Sequence, residues 1–239
     1  MEDLRLGDCL EILKTIDDES IDLIVTDPPY KITSRGSGGS MGGYWVSKIA
    51  MSGNIFENND ISCKDYLPEF YRVLKDRTHC YVMCNNINLV EMIQTGIDCG
   101  FSFVKCLIWQ KPNAICGRYY MNCFEYIILF RKGGDRSINN CGTPDILNVD
   151  LKKLKDDQGH NLHDTEKPVR LMEILIENST DKGQLVLDPF MGIGASGVAS
   201  KNLKRDFIGI EIDEKYFNIA KQRINEEELS SLSQFSLWG

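Results

Sequence analysis

The block 184–197 constrains the fold of this chain more than any other part of its sequence. In it an apolar run ends at Asp188, a turn containing Gly192 and Gly194 follows, and small residues then begin a helix. The next apolar run carries an acid near its end, Glu211, 23 positions after Asp188. Strand, glycine turn, helix and strand-end acid in this order are typical of a nucleotide-binding βαβ unit, in which the acid binds ribose hydroxyls. The block therefore predicts an α/β fold.

The carboxylate of Asp188 indicates which kind of nucleotide the turn binds. A dinucleotide pyrophosphate would be repelled by a carboxylate that precedes the turn, whereas an amine or a sulfonium would be attracted. S-adenosylmethionine has a ribose at one end and a cationic amino-acid group at the other. The sequence therefore favours S-adenosylmethionine over NAD as the cofactor.

The stretch 24–30 supplies a second candidate site. The apolar run 21–25 predicts a buried strand, and the two prolines that follow Asp27 end it. Asp27 and Tyr30 therefore lie at the carboxyl end of a strand, the edge where open α/β sheets bind ligands. A carboxylate, the rigid carbonyl of Pro28 and a flat ring suit a planar group that bears an NH2. The alternative is a strand-ending turn in which Asp27 caps a helix.

The length of 239 residues fits one α/β domain, 1–239, with insertions. Residues 31–59 contain six glycines, five serines and three aromatic residues without a hydrophobic period, which indicates a mobile loop that closes on something planar. Residues 133–164 are polar and aperiodic, which indicates a small variable insertion. The apolar runs 101–109 and 124–131 predict an antiparallel pair of strands. Helices are predicted at 62–75, at 88–97, from 168 onward and at 214–227.

The distribution of charge qualifies the net charge of −8, which by itself argues against a nucleic-acid partner. Residues 101–155 hold nine Lys/Arg against four acidic residues, and residues 31–53 hold three basic residues and no acid. These two segments could form one positive face on an acidic body. Chance unevenness is the alternative interpretation.

The cysteines, the hydropathy and the sparse histidines exclude other classes. Nine scattered cysteines indicate reduced thiols, and hence a cytoplasmic protein. No apolar segment approaches the roughly 18 residues that a membrane span requires. There is no C-x-x-C pair, and His160 and His163 are too sparse for a metal site, so no metal is expected.

Three segments in order resemble the motifs of one family, the amino-methylating DNA methyltransferases. They are Asp27-Pro28-Pro29-Tyr30, His163-x-Thr165-x-Lys167-Pro168 and Asp188-Pro189-Phe190-x-Gly192-x-Gly194. The catalytic motif precedes the cofactor motif, which is the circularly rearranged order of the β group. Two departures are Asp164, where the family more often has proline, and Ala195, where it commonly has a hydroxyl residue.

The resemblance implies a Rossmann-like S-adenosylmethionine-dependent fold, with a seven-stranded, mostly parallel sheet that has one antiparallel strand. It also implies that the strands ending at Asp27 and Asp188 are neighbours. Glu211 would bind the ribose of the cofactor and Asp8 its adenine amino group, although Asp8 could instead be a cap. Thr165 and Lys167 could instead be polar residues at a helix start. The cofactor-binding residues implied by position are Asp8, Cys9, His163, Thr165, Lys167, Asp188, Pro189, Phe190, Gly192, Gly194, Ser196, Glu211 and Ile212.

The implied activity is transfer of a methyl group from S-adenosylmethionine to an exocyclic amine of a base that is flipped out of double-stranded DNA. Catalysis would use Asp27, Pro28, Pro29 and Tyr30. No Pro-Cys pair occurs, so cytosine-C5 methylation has no candidate nucleophile. An initial aspartate is commoner in adenine-N6 enzymes of restriction-modification systems, whereas serine is commoner in cytosine-N4 enzymes.

Several alternatives stay open at this stage. They are a cytosine-N4 enzyme, an RNA or protein-amide methyltransferase, a cofactor-binding partner without catalysis and, less favoured, a NAD dehydrogenase. Relatives often dimerise, so a homodimer is among the expected states. Sequence readout is expected from the basic middle region. The residues predicted to contact DNA are Lys31, Arg35, Lys48, Lys111, Asn113, Arg118 and Asn122.

Overall fold

A computed structural model describes residues 1–29, 61–115, 120–150 and 166–235 of the chain. Eight strands and six helices are formed by these residues. The strands are β1 Glu2–Leu6, β2 Ile21–Thr26, β3 Leu74–Cys84, β4 Ser102–Ile115, β5 Asn122–Lys132, β6 Ile146–Asn148, β7 Leu185–Asp188 and β8 Asp206–Glu211. The helices are α1 Cys9–Leu13, α2 Cys63–Val73, α3 Leu89–Asp98, α4 Val169–Ser179, α5 Ala195–Asn202 and α6 Glu214–Phe235.

The strands form one sheet in the order β1-β8-β7-β2-β3-β5-β4-β6. Strand β5 is antiparallel to both of its neighbours, and every other pair is parallel. This confirms the mostly parallel sheet with one antiparallel strand, and the predicted antiparallel pair is β4 and β5. The described chain has eight strands where seven were expected. The shortest, β6, lies within 133–150, so part of the expected insertion belongs to the sheet.

Strand β2 occupies the middle of the sheet, and all six of its residues are buried. Leu23 and Val25 pack into a core cluster on one face with residues of α4, α5 and α6. Ile21 and Ile24 pack into a second cluster on the other face with residues of α1, α2 and α3. A parallel strand covered on both faces requires a continuous apolar run, which is why 21–25 does not alternate with polar residues.

The helix starts follow local capping rules. Ser62 and Asp65 form a capping box at the start of α2, because the side chain of each accepts a hydrogen bond from the backbone N–H of the other. Pro168 immediately precedes α4, where the missing N–H costs no hydrogen bond. Helix α6 continues to Phe235, beyond the predicted end at Glu227. No helix within the described ranges is long and apolar enough to cross a membrane.

Candidate active site

The carboxyl ends of β2 and β7 lie side by side at one edge of the sheet. Leu23 pairs with Val186 and Ile24 with Leu187 in parallel register. Beyond these pairs, the Thr26 hydroxyl donates a hydrogen bond of 2.6 Å to Oδ1 of Asp188. The two strand ends are therefore neighbours, as the resemblance implied.

Asp188 organises the glycine turn that follows β7. Its Oδ1 also accepts from the Phe190 N–H at 3.1 Å, and its Oδ2 accepts from the Ser196 hydroxyl at 2.5 Å. The side chain is only 4% exposed. Burial raises the pKa of Asp188 to about 6, although the three hydrogen bonds oppose this shift. The carboxylate thus fixes the turn to the first residues of α5.

The turn needs glycine at two positions because of its backbone conformation, and packing against α6 adds a second reason at one of them. Gly192 and Gly194 have φ values of 52° and 81°, in the left-handed region that side chains disfavour. A Cβ on Gly194 would also lie 3.0 Å from Cβ of Ala220 in α6. Gly197 allows close packing one turn later, since a Cβ there would lie 2.4 Å from Cδ1 of Ile224. Together these glycines form G-x-G-x-x-G.

Glu211, at the end of β8, connects the turn to neighbouring segments. Its Oε2 accepts from the Gly192 N–H at 2.9 Å, and its Oε1 accepts from the Asp213 N–H at 2.9 Å. Its backbone carbonyl accepts from the Gly7 N–H at 2.9 Å, which joins the end of β1 to the same place. Burial raises the pKa of Glu211, and these backbone donors oppose the shift.

A cavity of about 380 Å³ opens between these segments. Its walls combine flat apolar groups with three carboxylates, a chemistry that suits a nucleoside bearing a cationic group. The Phe190 ring is held edge-on against Tyr66, with centroids 5.4 Å apart. The size and the donor set fit S-adenosylmethionine. The lining residues are Gly7, Asp8, Cys9, Leu10, Pro29, Ile61, Asp65, Pro189, Phe190, Glu211 and Ile212.

Apart from Lys167, the predicted cofactor residues divide into three groups. Those that line the cavity are Asp8, Cys9, Pro189, Phe190, Glu211 and Ile212, together with Pro29 of the predicted catalytic motif. Those in the turn and helix start behind it are Asp188, Gly192, Gly194 and Ser196. Outside the described residues lie His163 and Thr165, and also Tyr30, Lys31, Arg35, Lys48 and Arg118. Asp8 is additionally the N-cap of α1, because its Oδ1 accepts from the Leu10 N–H at 2.8 Å.

Asp27, two residues before the cavity-lining Pro29, lies in a cluster of charged side chains. Its Oδ2 is bonded to the ammonium of Lys167, which is in turn 3.4 Å from Oε2 of Glu125. Oε1 of Glu125 accepts from Nζ of Lys111 at 2.5 Å. Oδ1 of Asp27 and Oε2 of Glu125 are buried and make no hydrogen bond in the described part of the chain, so the contact of Glu125 with Lys167 is an ion pair without a hydrogen bond.

Burial and charge oppose each other within this cluster. Burial disfavours the charge on Lys167, but the attraction of Asp27 and Glu125 outweighs it and raises the pKa of Lys167. For Glu125, burial is outweighed by Lys167 and Lys111, which lower its pKa. For Asp27, burial prevails over Lys167, and Glu125 adds to it, so the pKa of Asp27 is raised.

Lys167 was expected to complete the cofactor pocket, and Glu125 was not singled out from the sequence. The structure places Lys167, whose side chain is 5% exposed, against Asp27 and not among the cavity-lining residues. Glu125 comes from β5, where an acid interrupts the apolar run that begins at Phe124. An isolated acid in an otherwise apolar strand is the sequence signal that could have identified Glu125.

The basic residues of the middle region are largely neutralised by neighbours where the structure describes them. Lys105 lies 3.0 Å from Asp145, Lys132 lies 3.2 Å from Glu19, and Arg131 pairs with Asp135. Lys111, predicted to contact DNA, is paired with Glu125 as described. Asn113 and Asn122 are exposed on the β4–β5 hairpin. No group of three or more metal-binding side chains occurs within the described ranges.

Comparison with known proteins identifies the family. Residues 21–222 match the family of N6 and N4 methyltransferases described as DNA methylase. The type II methyltransferase M.HinfI of Haemophilus influenzae is 32% identical, over 92% of this chain and 67% of that protein. The type II methyltransferase M2.DpnII of Streptococcus pneumoniae is 30% identical, over 92% of this chain and 88% of that protein.

Solved structures agree with this assignment. M1.HpyAVI, solved as a complex with S-adenosylmethionine, matches with a TM-score of 0.70 and 25% identity, over 93% of this chain and 100% of that one. The cytosine-N4-specific PvuII DNA methyltransferase matches with a TM-score of 0.72 and 18% identity, over 93% and 86% of the two chains. The latter likeness shows the fold alone. The chain is therefore a member of the DNA methylase family of amino-methyltransferases, with S-adenosylmethionine as its cofactor.

Proposed function

We propose that the chain is a site-specific DNA methyltransferase that modifies N6 of adenine. Adenine is supported by the first residue of the Asp27-Pro28-Pro29 motif. An aspartate at this position resembles the motif of adenine-N6 enzymes more than that of cytosine-N4 enzymes. The sheet itself does not discriminate, because a cytosine-N4-specific enzyme has the same fold. Methylation of cytosine N4 is the second candidate.

The observation that carries the proposal is the asymmetry of the Asp27 carboxylate. Lys167 occupies Oδ2, whereas Oδ1 is a buried acceptor without a described donor. An unsatisfied buried acceptor is costly, so its presence at a strand end beside the cofactor cavity indicates a donor that arrives with the substrate. An exocyclic NH2 provides such a donor.

Asp27 and Pro28 would act on the acceptor nitrogen directly. The lone pair of an aromatic amine is delocalised into the ring, and acceptors for its two hydrogens favour a more tetrahedral nitrogen. The Asp27 carboxylate and the Pro28 carbonyl are acceptors of this kind, and they stabilise the positive charge that develops on the nitrogen. Asp27 need not be a strong base, because the methylated ammonium product is very acidic.

The cofactor, when bound, supplies an electrophilic methyl group. Glu211 would accept hydrogen bonds from its ribose, Phe190 and Pro29 would pack against its flat apolar parts, and Asp8 would accept from its adenine amino group. Asp188 would attract its cationic amino-acid end. These residues hold donor and acceptor at one sheet edge, and such alignment contributes a large part of the rate acceleration.

DNA recognition is assigned to segments around this edge. A base within a duplex is unreachable, so it must be flipped out, and we assign closure over it to the loop 31–59 and stacking on it to Tyr30. We assign target readout to the insertion 133–164 and to Asn113 and Asn122 of the β4–β5 hairpin. We also propose that the protein is a homodimer and that it is located in the cytoplasm. The eight described cysteines are free thiols, as a reducing compartment requires.

A methyl-transfer assay tests the proposal. Purified protein is incubated with tritiated S-adenosylmethionine and unmethylated genomic DNA, total RNA or a protein mixture, and the labelled nucleoside is identified by mass spectrometry. N6-methyladenine from DNA is the expected product, and N4-methylcytosine would establish the second candidate. Asp27→Ala should abolish the labelling while cofactor binding persists, and Asp17→Ala, which removes an exposed carboxylate, is the matched control. Labelled RNA or protein without labelled DNA would refute the proposal.

A further inference from the structure

Four side chains of alternating charge form a continuous row that ends at the catalytic carboxylate. They are Lys111 from β4, Glu125 from β5, Lys167 from the segment before α4 and Asp27 after β2. Nζ of Lys111 lies 2.5 Å from Oε1 of Glu125, and the other oxygen of Glu125 lies 3.4 Å from Nζ of Lys167. Lys167 completes the row by its bond to Asp27. Four segments that are distant in sequence thus supply one charge network.

The network is buried to a degree that stability does not explain. The side chains of Lys111, Glu125, Lys167 and Asp27 are 24%, 18%, 5% and 19% exposed. Removing paired charges from water costs about as much as their attraction returns, and apolar replacements often stabilise a protein. A buried row of ion pairs is therefore weak evidence for stability and better evidence for a function of the charges themselves.

The far end of the row is fixed to the core of the protein. Nζ of Lys111 lies 5.3 Å from the ring centroid of Trp109, a cation–π distance. Trp109 is 2% exposed, and its indole N–H donates to the Val149 carbonyl at 2.9 Å. Lys111 is thus held in place, and it holds one oxygen of Glu125. The other oxygen of Glu125 is then directed at Lys167.

We propose that Glu125 and Lys111 are positioning residues for methyl transfer, which orient Lys167 so that Asp27 presents its Oδ1 to the acceptor amine. This inference rests on the proposed function and adds two residues to it. Without the negative charge of Glu125, one of the attractions that fix the position of the Lys167 ammonium would be lost, and the ammonium would approach Oδ1 of Asp27 in more of the molecules. The acceptor oxygen would then be neutralised in a fraction of the molecules.

The same network influences the charge on Asp27, and the two members beyond Lys167 shift the pKa of Asp27 in opposite directions. The negative charge of Glu125 raises the pKa of Asp27, and the positive charge of Lys111 lowers it. Other titratable groups interact with Asp27 as well, namely Asp188 from β7, Tyr66 from α2 and Cys84 from β3. These groups remain unchanged when Glu125 or Lys111 is replaced.

The decisive experiment measures the rate of methyl transfer against pH for Glu125→Gln and Lys111→Met. The reaction is followed under single-turnover conditions with tritiated S-adenosylmethionine and DNA that the wild type methylates. Both variants should lose about tenfold to 100-fold in rate, the range expected when a reacting group is misplaced. The acidic limb of the pH profile should move to lower pH in Glu125→Gln and to higher pH in Lys111→Met.

Further variants separate positioning from a structural role. Lys111→Arg keeps the charge and should keep the wild-type acidic limb. The double variant Glu125→Gln/Lys111→Met restores neutrality, so its acidic limb should return toward that of the wild type. Lys64→Met and Glu91→Gln disrupt an exposed pair of the same residue types, 3.1 Å apart, and should leave rate and profile unchanged. Cofactor affinity and thermal unfolding are measured for every variant.

The outcomes are distinct for the two proposals. Opposite displacement of the acidic limbs, with cofactor affinity unchanged, supports the inference. Limbs that do not move, or that move in the same direction, overturn it, as does a loss of rate that follows a loss of cofactor binding or of folded protein. If the wild type labels no DNA at all, the proposed function fails before the variants are compared.

Discussion

Two aspartates end neighbouring strands of the sheet, and their carboxylates have opposite hydrogen-bond states. Asp188, the last residue of β7, accepts three hydrogen bonds from Thr26, Phe190 and Ser196, so both of its oxygens are occupied. Asp27, after β2, has one oxygen bonded to Lys167 and the other without a described partner. Both lie at the same edge, yet among the residues that the structure describes only Asp188 has partners for both of its oxygens.

The difference shows how one sheet edge can hold one carboxylate whose acceptors are satisfied beside another whose acceptors are not. Asp188 uses its acceptors to fix the glycine turn and the start of α5. Asp27 has one oxygen held by Lys167, and under the proposed function its other oxygen accepts from the substrate amine. The two carboxylates differ modestly in exposure, 4% for Asp188 and 19% for the Asp27 side chain, so the number of satisfied oxygens distinguishes them more clearly than burial does.

The largest expected effect distinguishes the two aspartates by activity. Asp27→Asn replaces one carboxylate oxygen by an amide NH2 and removes the negative charge. We expect the rate of methyl transfer to fall by at least about 100-fold to 1000-fold, as when one preorganised group at a developing charge is lost. S-adenosylmethionine affinity, measured by calorimetry, should stay near the wild-type value. An Asp27→Asn variant with wild-type activity would show that the Asp27 carboxylate is not required for methyl transfer.

The next effect concerns Asp188 and appears in stability. Its pKa is raised by burial from 3.8 to about 6, so the folded state binds this proton more tightly than the unfolded state. The stabilisation that the protonated form provides is complete below pH about 4 and is lost as the pH rises through about 6. Relative to Asp188→Asn, the wild type should lose about 3 kcal/mol of unfolding free energy over this range.

Urea unfolding of both proteins at intervals from pH 4 to pH 7.5 measures this difference. The variant lacks the titrating group, so subtracting its unfolding free energy from that of the wild type removes the other ionisations. A difference that stays constant with pH would show that Asp188 titrates alike in the folded and unfolded states. The hydrogen bonds from Thr26, Phe190 and Ser196 would then compensate its burial fully.

The smallest expected effect distinguishes two buried serines of α5, one with a described hydrogen-bond partner and one without. The hydroxyl of Ser196 donates to Asp188, whereas the hydroxyl of Ser200 is buried without a partner among the described residues. Ser196→Ala should lower the unfolding free energy by about 1–3 kcal/mol, because it leaves a buried charged acceptor less satisfied. Ser200→Ala should change it by less than about 0.5 kcal/mol or raise it, because no hydrogen bond is lost.

Denaturant unfolding of both serine variants at neutral pH makes this measurement. Equal losses in the two variants would mean that helix packing, and not the bond to Asp188, determines the cost. The Ser200 variant thus serves as the matched control for the Ser196 variant. A loss of unfolding free energy in Ser196→Ala alone would show that the hydrogen bond to Asp188 contributes to stability.

The sequence predicts most of the sheet because its central strands are continuous apolar runs. The strands ending at Asp27 and Asp188 and the β4–β5 pair all lie where those runs occur. The apolar run 80–84 marks only the end of β3, which begins at Leu74, because residues 75–79 are polar and give no apolar signal. Backbone pairing with β2, which has an irregular register there, extends the strand without such a signal.

The site was predicted where the motifs are local and missed where they are not. The residues of the glycine turn and Glu211 lie close in sequence, and the structure brings them together. The glycines alone would not have separated this turn from a dinucleotide-binding one, because G-x-G-x-x-G is complete at 192–197. Lys167 was placed by its motif near the cofactor, but its bond to Asp27 depends on a tertiary contact 140 positions away. Spacing along the chain carries no information about such a contact.

The bond between Thr26 and Asp188 joins residues that are 162 positions apart. During synthesis, the strand that carries Asp27 leaves the ribosome long before β7 exists. A nascent chain that ends before β7 contains the Asp27-Pro28-Pro29 segment without the turn whose residues Pro189 and Phe190 line the cavity. The order of the strands in the sheet thus delays assembly of this edge until β7 and its glycine turn have been synthesised.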